Sequence, residues 1–398
     1  VYKRQPDTAV AIRIDIDQVP VAIVAADRSR PDVAAAKGYR DTTGFLAEVS
    51  ARPGIRVVCV HALNVAGTDG DDVLLGCAFV TVPATQPTAS SLTVVSGDGR
   101  APYTEGLRWS VSDPQGEPVT CRIDWDGGPW DDVIPGCQNR LGATHTYTAP
   151  GTYQVALEMT DGNSGVSLAY RTVTVSGFRG ETFDIAVRDN GGFTTSQAAA
   201  VQIAAQRWSG LISSGVGDVS LFIGAGECEA GLPAFVGTVD DLLVDVVASP
   251  IDGPGGILAA AGPCIVRSGS GLPIYGVLDV DSADVGRLES EGRLSDTVLH
   301  EMGHVLGFGT LWPQPPLTGA GTSDPRFGGP MASIPFNAAS TGWPSVPVEN
   351  TGGPGTADAH WRESVLGDEL MTGSLDSANP LSAVTVGSLA DIGYGVDV

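Results

Sequence analysis

The sequence predicts a multidomain protein, with two all-β sandwich domains followed by an α/β (α+β) domain that carries the chemistry. Three observations lead there. Short segments of alternating apolar and polar residues, broken by turn residues, fill positions 8–83 and again 92–177. From about residue 178 strand-like runs alternate with helical periodicity. One stretch, Leu299-His300-Glu301-Met302-Gly303-His304-Val305-Leu306-Gly307, then sets two histidines four residues apart around a glutamate.

A chain of 398 residues has room for two or three domains. Its 42% hydrophobic and 17% charged residues describe a globular protein, and its 53 glycines and 27 prolines imply many turns. A formal charge of −24 argues against a nucleic acid or an anionic membrane as partner, since phosphates would be repelled. Solubility in an extracellular or salty medium is preferred as its reason over a specific cationic partner. The six cysteines fall as local pairs, Cys59 with Cys77, Cys121 with Cys137, and Cys228 with Cys264, none spaced Cys-x-x-Cys. They predict one disulfide per domain and an oxidising location, extracellular or at the cell surface. No apolar run approaches the ~18 residues of a membrane span, and no signal peptide is visible. The start at Val1 suggests a fragment or processed form, and Val1 to Gln5, which match nothing that follows, are given no weight. A monomer is expected.

In order along the chain, strands are expected at 9–16, 19–26, 44–49, 55–63 and 74–82, a small β-sandwich over residues 1–83. Ser29-Arg30-Pro31-Asp32-Val33, Val58-Cys59-Val60-His61-Ala62-Leu63-Asn64 and Leu75-Gly76-Cys77 resemble an immunoglobulin-like module, with His61 as a strand residue. Residues 84–91 have linker composition. In 92–177, Asp124-Trp125-Asp126-Gly127-Gly128 and His145-Thr146-Tyr147-Thr148-Ala149-Pro150-Gly151-Thr152-Tyr153 resemble a polycystic-kidney-disease-type (PKD) sandwich. Tyr153, Val155 and Leu157 alternate there with Gln154, Ala156 and Glu158. Asp124, Asp126, Asp131 and Asp132 offer oxygen ligands for structural Ca2+, but lack a strict spacing, and a solvated loop is the simpler reading. His145 is assigned to the sandwich. Binding of cell-surface or extracellular polymers would belong to these accessory domains.

Residues 178–398 form the third domain. A strand at 183–187 precedes a capping box, Thr194 with Gln197, and Val201, Ala204, Ala205 and Trp208 at helical spacing. Strands at 219–223, 242–248 and 275–280 lead to the histidine helix. There, about 100° per residue brings His300 and His304 within about 40° on one face, so that they can share a metal ion. Val298, Leu299, Met302, Val305 and Leu306 fill the opposite arc, and Glu301 lies between, where a zinc hydrolase keeps its general base. Ser295 or Asp296 can cap the start, and Gly307 can turn the chain at the end. The alternative is an ordinary amphipathic helix.

Catalytic zinc keeps three protein ligands and an open position. Residues 305–348 contain no glutamate, which excludes a thermolysin-like third ligand, and Thr310 stands where the compact metzincin histidine would fall. His360, in Asp358-Ala359-His360-Trp361, is the only histidine downstream. Asp324, in Gly321-Thr322-Ser323-Asp324, competes as the ligand of aspartate-type zincins, and His360 is preferred. Eleven residues past His360 lies Met371, in Glu369-Leu370-Met371-Thr372-Gly373.

Together these motifs, with a Gly/Pro-rich insertion between Gly307 and His360, resemble the leishmanolysin family of metzincin metallopeptidases over about residues 180–398. The resemblance implies a metzincin-type zinc peptidase domain. One catalytic Zn2+ would sit on His300, His304 and His360, with Glu301 catalytic and Met371 forming the Met-turn. Gly255-Gly256-Ile257-Leu258-Ala259-Ala260-Ala261-Gly262-Pro263 is similar to the substrate-aligning edge strand of matrix metalloproteinases. This implies that Ile257, Leu258, Ala259 and Ala260 bind an extended protein or peptide substrate. The C-terminal domain of larger protozoan members has no visible counterpart, nor has a pro-segment or switch cysteine. The expected function is a secreted zinc endopeptidase. The rivals are an adhesion or binding protein with an inert zinc domain, and a zinc amidase acting on cell-wall peptides. The 308–359 insertion, with Trp312, Phe327 and Trp343, is either a cleft wall or flap, or a surface excursion with its own small core.

Overall fold

Alternation of apolar residues builds the first sheet, in which Ile12, Ile14 and Ile16 are buried. The computed structural model describes residues 9–37, 42–64, 70–83, 85–95, 99–163, 165–178, 180–312, 316–340 and 342–396. Val1 to Gln5 lie outside these. Strands Val19–Ala25, Ala11–Ile16, Gly54–Ala62 and Val73–Val82 lie side by side in that order, all antiparallel. Asp17 and Gln18, both with positive φ, make the tight turn of the first hairpin. Cys59 faces Cys77 across the ladder and is bonded to it. His61 is a strand residue beside Asp15, 3.2 Å away. The strand expected at 44–49 does not form. Only Thr42–Gly44 pairs, with Arg28–Ser29, on either side of the short helix α1, Pro31–Lys37. Alternation marks a segment able to pair, and beyond Gly44 no partner strand is in register.

The second region has two sheets. One runs Asp132–Pro135, Thr120–Asp124, Gly151–Thr160, Val166–Val175, and the other Gly142–Tyr147, Tyr103–Ser112, Thr88–Val95. Strand Thr88–Val95 takes up half of the expected 84–91 linker, and Ser167 Oγ donates to the Pro87 carbonyl just before it. The small polar residues that suggested a linker serve as the start of a strand. His145 stacks on Trp125, ring centroids 5.1 Å apart, and belongs to the sandwich. Asp124 Oδ1 accepts the N–H groups of Asp126, Gly127 and Gly128, Asp131 that of Trp125, and Asp132 the Trp125 indole N–H. These are the bonds of a self-closing loop. Cys121 and Cys137 are disulfide-bonded. By compactness, residues 1–88, 111–121 and 158–168 form one unit and the remainder another.

The third region is built on a four-stranded sheet in the order Ile185–Asp189, Leu242–Ser249, Pro273–Asp281, Ala259–Val266. The first three are parallel and the last is antiparallel at the edge. Arg188 lies directly opposite Asp245 in the register, and its guanidinium grips that buried carboxylate, which also accepts the Tyr275 hydroxyl at 2.6 Å. A slip of one residue in that pairing would take the guanidinium from the buried Asp245 and leave it only the Tyr275 hydroxyl. Helix α2, Thr195–Leu211, begins at the capping box that Thr194 and Gln197 predict and buries Val201, Ala204, Ala205 and Trp208. Cys228 is bonded to Cys264, tying the loop before strand Phe235–Val239 to the edge strand.

After the short helix α3, Val285–Ser290, the chain enters α4, Leu294–Val305. Its five predicted apolar residues are all buried, against α2 and the last two strands of the sheet. A Cβ on Gly276 would meet Val305 Cγ1 at 2.5 Å, so glycine there lets α4 approach the sheet. Neither Ser295 nor Asp296 caps α4. The cap position is Arg293, with no side-chain cap bond, because α3 runs almost directly into α4 and the helix starts earlier than either expected cap allows.

Beyond α4 the 308–359 insertion contains a small sheet, Leu317–Thr318, Arg326–Phe327 and Val346–Pro347, and helix α5, Pro330–Ala339. Helices α6, Glu363–Leu366, and α7, Ala383–Ile392, follow. Trp312 and Phe327 are buried with Phe308 and Trp361 in one aromatic cluster that is continuous with the main core. Both are core residues and share the main core, so the separate small core expected of a surface excursion does not form; Trp343 lies under the Arg326 guanidinium. Helix α5 is capped at both ends from outside itself. Asp391 of α7 accepts the N–H groups of Met331 and Ala332, each at 2.9 Å. At the other end the Arg140 guanidinium donates to the Asn337 and Ala338 carbonyls, where a cation meets the negative end of the helix dipole.

Replacing Asp391 with alanine leaves two N–H groups at the start of α5 without acceptors. We expect a loss of roughly 1–2 kcal/mol, read as a fall of the thermal midpoint by about 2–4 °C.

Candidate metal centre

Helix α4 does what its spacing predicts and brings His300 and His304 to one side, their Nε2 atoms 3.1 Å apart. His360 arrives from a different segment, its Nε2 3.1 Å from that of His300 and 3.0 Å from that of His304. The three form a nearly equilateral triangle. Its edges are close to the ~3.3 Å expected between ligands on tetrahedral metal with bonds of ~2.0–2.1 Å.

The other ring nitrogens explain the triangle. His300 Nδ1 lies 2.7 Å from the Leu370 carbonyl, His304 Nδ1 2.9 Å from that of Phe308, and His360 Nδ1 3.1 Å from that of Thr356. A carbonyl can only accept, so each Nδ1 carries its proton and each Nε2 is a bare lone pair. Three lone pairs cannot hydrogen-bond to one another. Protonating one ring is opposed by burial, which pushes His300 down to about 4, His304 well below its ordinary value, and His360 down as well. A cation at the centre of the triangle satisfies all three. Histidine ligands whose second nitrogen donates to a carbonyl are the usual arrangement at protein metal sites. The donor set, three neutral imidazoles, suits zinc.

The chain around the triangle depends on close approaches. Gly307, at φ 110°, turns the chain at the end of α4 as predicted. Gly309, which the sequence reading passed over, is tighter. With φ 70°, its missing Cβ would sit 2.1 Å from the Ala359 carbonyl oxygen, so the helix exit packs directly on the residue before His360. Asp358 is itself held at φ 64° and accepts the Gly321 N–H. Thr310, where a compact motif would place a histidine, instead donates its hydroxyl to the His304 carbonyl. Met371 is fully buried beneath α4, because a Cβ on Gly303 would meet its Sδ at 2.8 Å. Glycine between the two histidines and methionine below them are one contact seen from two sides.

Glu301 is buried on the same helix, and burial pushes its carboxyl up to about 8. Asp324 is not near the triangle's bonding. Its carboxylate is taken by Arg326 and Arg362 on the surface, and those cations hold it below the usual range. Of the four expected substrate-binding residues, Ala259 and Ala260 lie on the edge strand Ala259–Val266, whose outer side has no neighbour in its sheet among the described residues. Ile257 and Leu258 precede it. Ile257 is half exposed with its N–H on Asp252, whereas Leu258 packs on the core and gives its carbonyl to the Asp281 N–H.

Comparison with known proteins bears on part of this region. The family model for leishmanolysin matches residues 341–397, the stretch with His360 and Met371 but without α4. Over that stretch the chain has the pattern of a leishmanolysin-type metallopeptidase. No curated protein matches the chain. Among solved structures it is similar to the PKD1 domain of Vibrio anguillarum Epp, with 20% identity over 24% of this chain and 98% of that one, TM-score 0.19. It is also similar to the PKD1 domain of Vibrio cholerae metalloprotease PrtV, with 24% identity over 23% and 98%, TM-score 0.18. The amphioxus IgVJ-C2 molecule shows 14% identity over 44% and 92%, TM-score 0.21.

Gly309→Ala is expected to push the Ala359–His360 segment outward and weaken metal binding by about tenfold or more. Competition against a coloured chelator measures it.

Proposed function

We propose that the chain is a secreted zinc-dependent endopeptidase of the leishmanolysin type, with two β-sandwich accessory regions. The observation that carries this reading is the triangle of bare Nε2 atoms, each ring locked by a backbone carbonyl. The leishmanolysin match over residues 341–397 supports the same class from sequence alone. His300, His304 and His360 would hold the ion. When bound, zinc supplies Lewis acidity, polarising a carbonyl oxygen and lowering the pKa of water to near 7.

The residues of the chain do the rest. Glu301, on the same helix as His300 and His304, would as its carboxylate take a proton from water and pass it to the leaving amine. Ala259 and Ala260, with the free edge of their strand, would align an extended peptide by main-chain hydrogen bonds. Leu258, turned to the core, serves as a support for that strand. Met371 would act as the Met-turn, a soft apolar floor under α4. The disulfide bonds support an oxidising, extracellular location. No helix among the described residues is long and apolar enough to cross a membrane.

Zinc content and casein cleavage of three variants test the reading. His360→Ala should lose both, and Asp324→Ala should keep both. Glu301→Gln should keep zinc while turnover falls by about 10²–10⁴-fold. Peptidase activity retained by the Glu301 variant, in preparations free of contaminating protease, refutes the mechanism. If Asp324→Ala alone loses the metal, the ligand set is wrong.

A further inference from the structure

Two of the contacts that shape the triangle come from a single short segment, residues 369–372. Leu370 offers its carbonyl to His300 Nδ1, and Met371 sets its thioether under Gly303. The Met371 carbonyl also accepts the N–H of Trp361 at 2.9 Å, gripping the residue that follows His360. What holds this segment is Glu369, whose side chain is buried. Its Oε2 accepts the Met371 N–H at 2.6 Å. Its Oε1 accepts the Ser382 N–H at 3.1 Å, the Ser382 hydroxyl at 2.7 Å and the Thr385 hydroxyl at 2.6 Å. Thr385 Oγ1 in turn accepts the indole N–H of Trp361 at 2.7 Å.

Four donors from two segments therefore meet on one carboxylate, and a fifth reaches it through a hydroxyl. Ser382 is the cap of α7, so the carboxylate is anchored to the start of a helix whose own core is buried. An ordinary buried carboxylate would satisfy a helix end and stop there. Here the contacts lead within one residue to His360, through Trp361, and to the acceptor of His300, through Leu370.

We propose that Glu369 is the positioning residue of the metal centre, the group that sets the distance of His360 and the orientation of His300 relative to α4. This rests on the zinc reading above and adds to it a residue that touches neither metal nor substrate. Losing Glu369 leaves the Met371 N–H, the Ser382 N–H and two hydroxyls without their acceptor. Segment 369–372 can then shift relative to Trp361, so that His300 loses its fixed acceptor and the segment carrying His360 its fixed distance. Outer partners of metal ligands act in this way.

The test compares the full chain with Glu369→Ala, Glu369→Gln and Asp391→Ala. The Asp391 variant lowers stability from a site outside the network. The readouts are zinc affinity by chelator competition, the visible spectrum of the cobalt-loaded protein, and the metal-free thermal midpoint. Glu369→Ala should bind zinc about 10–100-fold more weakly, with altered cobalt bands. Glu369→Gln should fall between, since its amide oxygen can still accept the Met371 N–H but its NH2 faces the Ser382 N–H. Asp391→Ala should melt lower yet bind zinc within about twofold of the parent, as expected for an uncoupled site.

The proposal is overturned if Glu369→Ala keeps the parent affinity and spectrum, or if Asp391→Ala loses affinity in proportion to its midpoint. Should Glu369→Ala not fold, Glu369→Gln decides on the same readouts, parent-like affinity and spectrum overturning the proposal. A parent chain that binds no zinc overturns the zinc reading itself and the role of Glu369 with it, a result distinct from a parent that binds and a variant that binds equally.

Discussion

Three imidazole lone pairs held about 3 Å apart repel one another, and much of the third region exists to impose that arrangement. Each ring is aimed by a carbonyl from a different place: the turn after α4, the segment before His360, and the segment around Met371. A ring fixed by one bond at Nδ1 and packed on its faces has little freedom left, so its Nε2 is presented rather than merely available. A cation at the centre would relieve that repulsion, and its binding would then be coupled to the order of these segments.

Close backbone approach is the means by which the segments are brought together. Gly276 lets α4 down onto the sheet, Gly303 lets Met371 up against α4, and Gly309 lets the chain leaving α4 lie on the Ala359 carbonyl. A Cβ on Gly309 would press on the Ala359 backbone, whereas one on Gly303 would meet the Met371 side chain and one on Gly276 the Val305 side chain and the Gly262 carbonyl. The aromatic cluster of Phe308, Trp312, Phe327 and Trp361 then fills the space between α4 and the insertion, making the insertion part of the same core. Helix α5, within it, draws its caps from α7 and from Arg140, so that its order depends on groups distant in sequence.

The edge strand completes a coherent arrangement. Strand Ala259–Val266 is antiparallel to its neighbour and contains Pro263, which a sheet tolerates only where one side is free. Its far end is tied down through Cys264 and its near end through the Leu258 carbonyl, leaving the span between them fixed.

Patterns short enough to be read within a turn or a strand were legible in the sequence. The pairing of His300 with His304, the apolar arc of α4, the Thr194–Gln197 capping box and the strand at 219–223 all follow from periodicities of 3.6 and 2 residues. The three local cysteine pairs were legible from their even number and their grouping along the chain. His360 and Met371 were accessible by elimination and resemblance, since few residues of their kind occur downstream. The failed strand at 44–49, the missing cap at Ser295 or Asp296 and the shortened linker at 84–91 show the limit: composition reports what a segment can do, and neighbours decide whether it does. Only the tertiary structure chose which carbonyls aim the rings, gave Thr310 a hydroxyl bond in place of a ligand role, sent Asp324 to two arginines, and gathered four donors on Glu369. Each depends on chain segments tens of residues apart meeting at hydrogen-bond distance, and that distance is a property of packing, which no local pattern encodes.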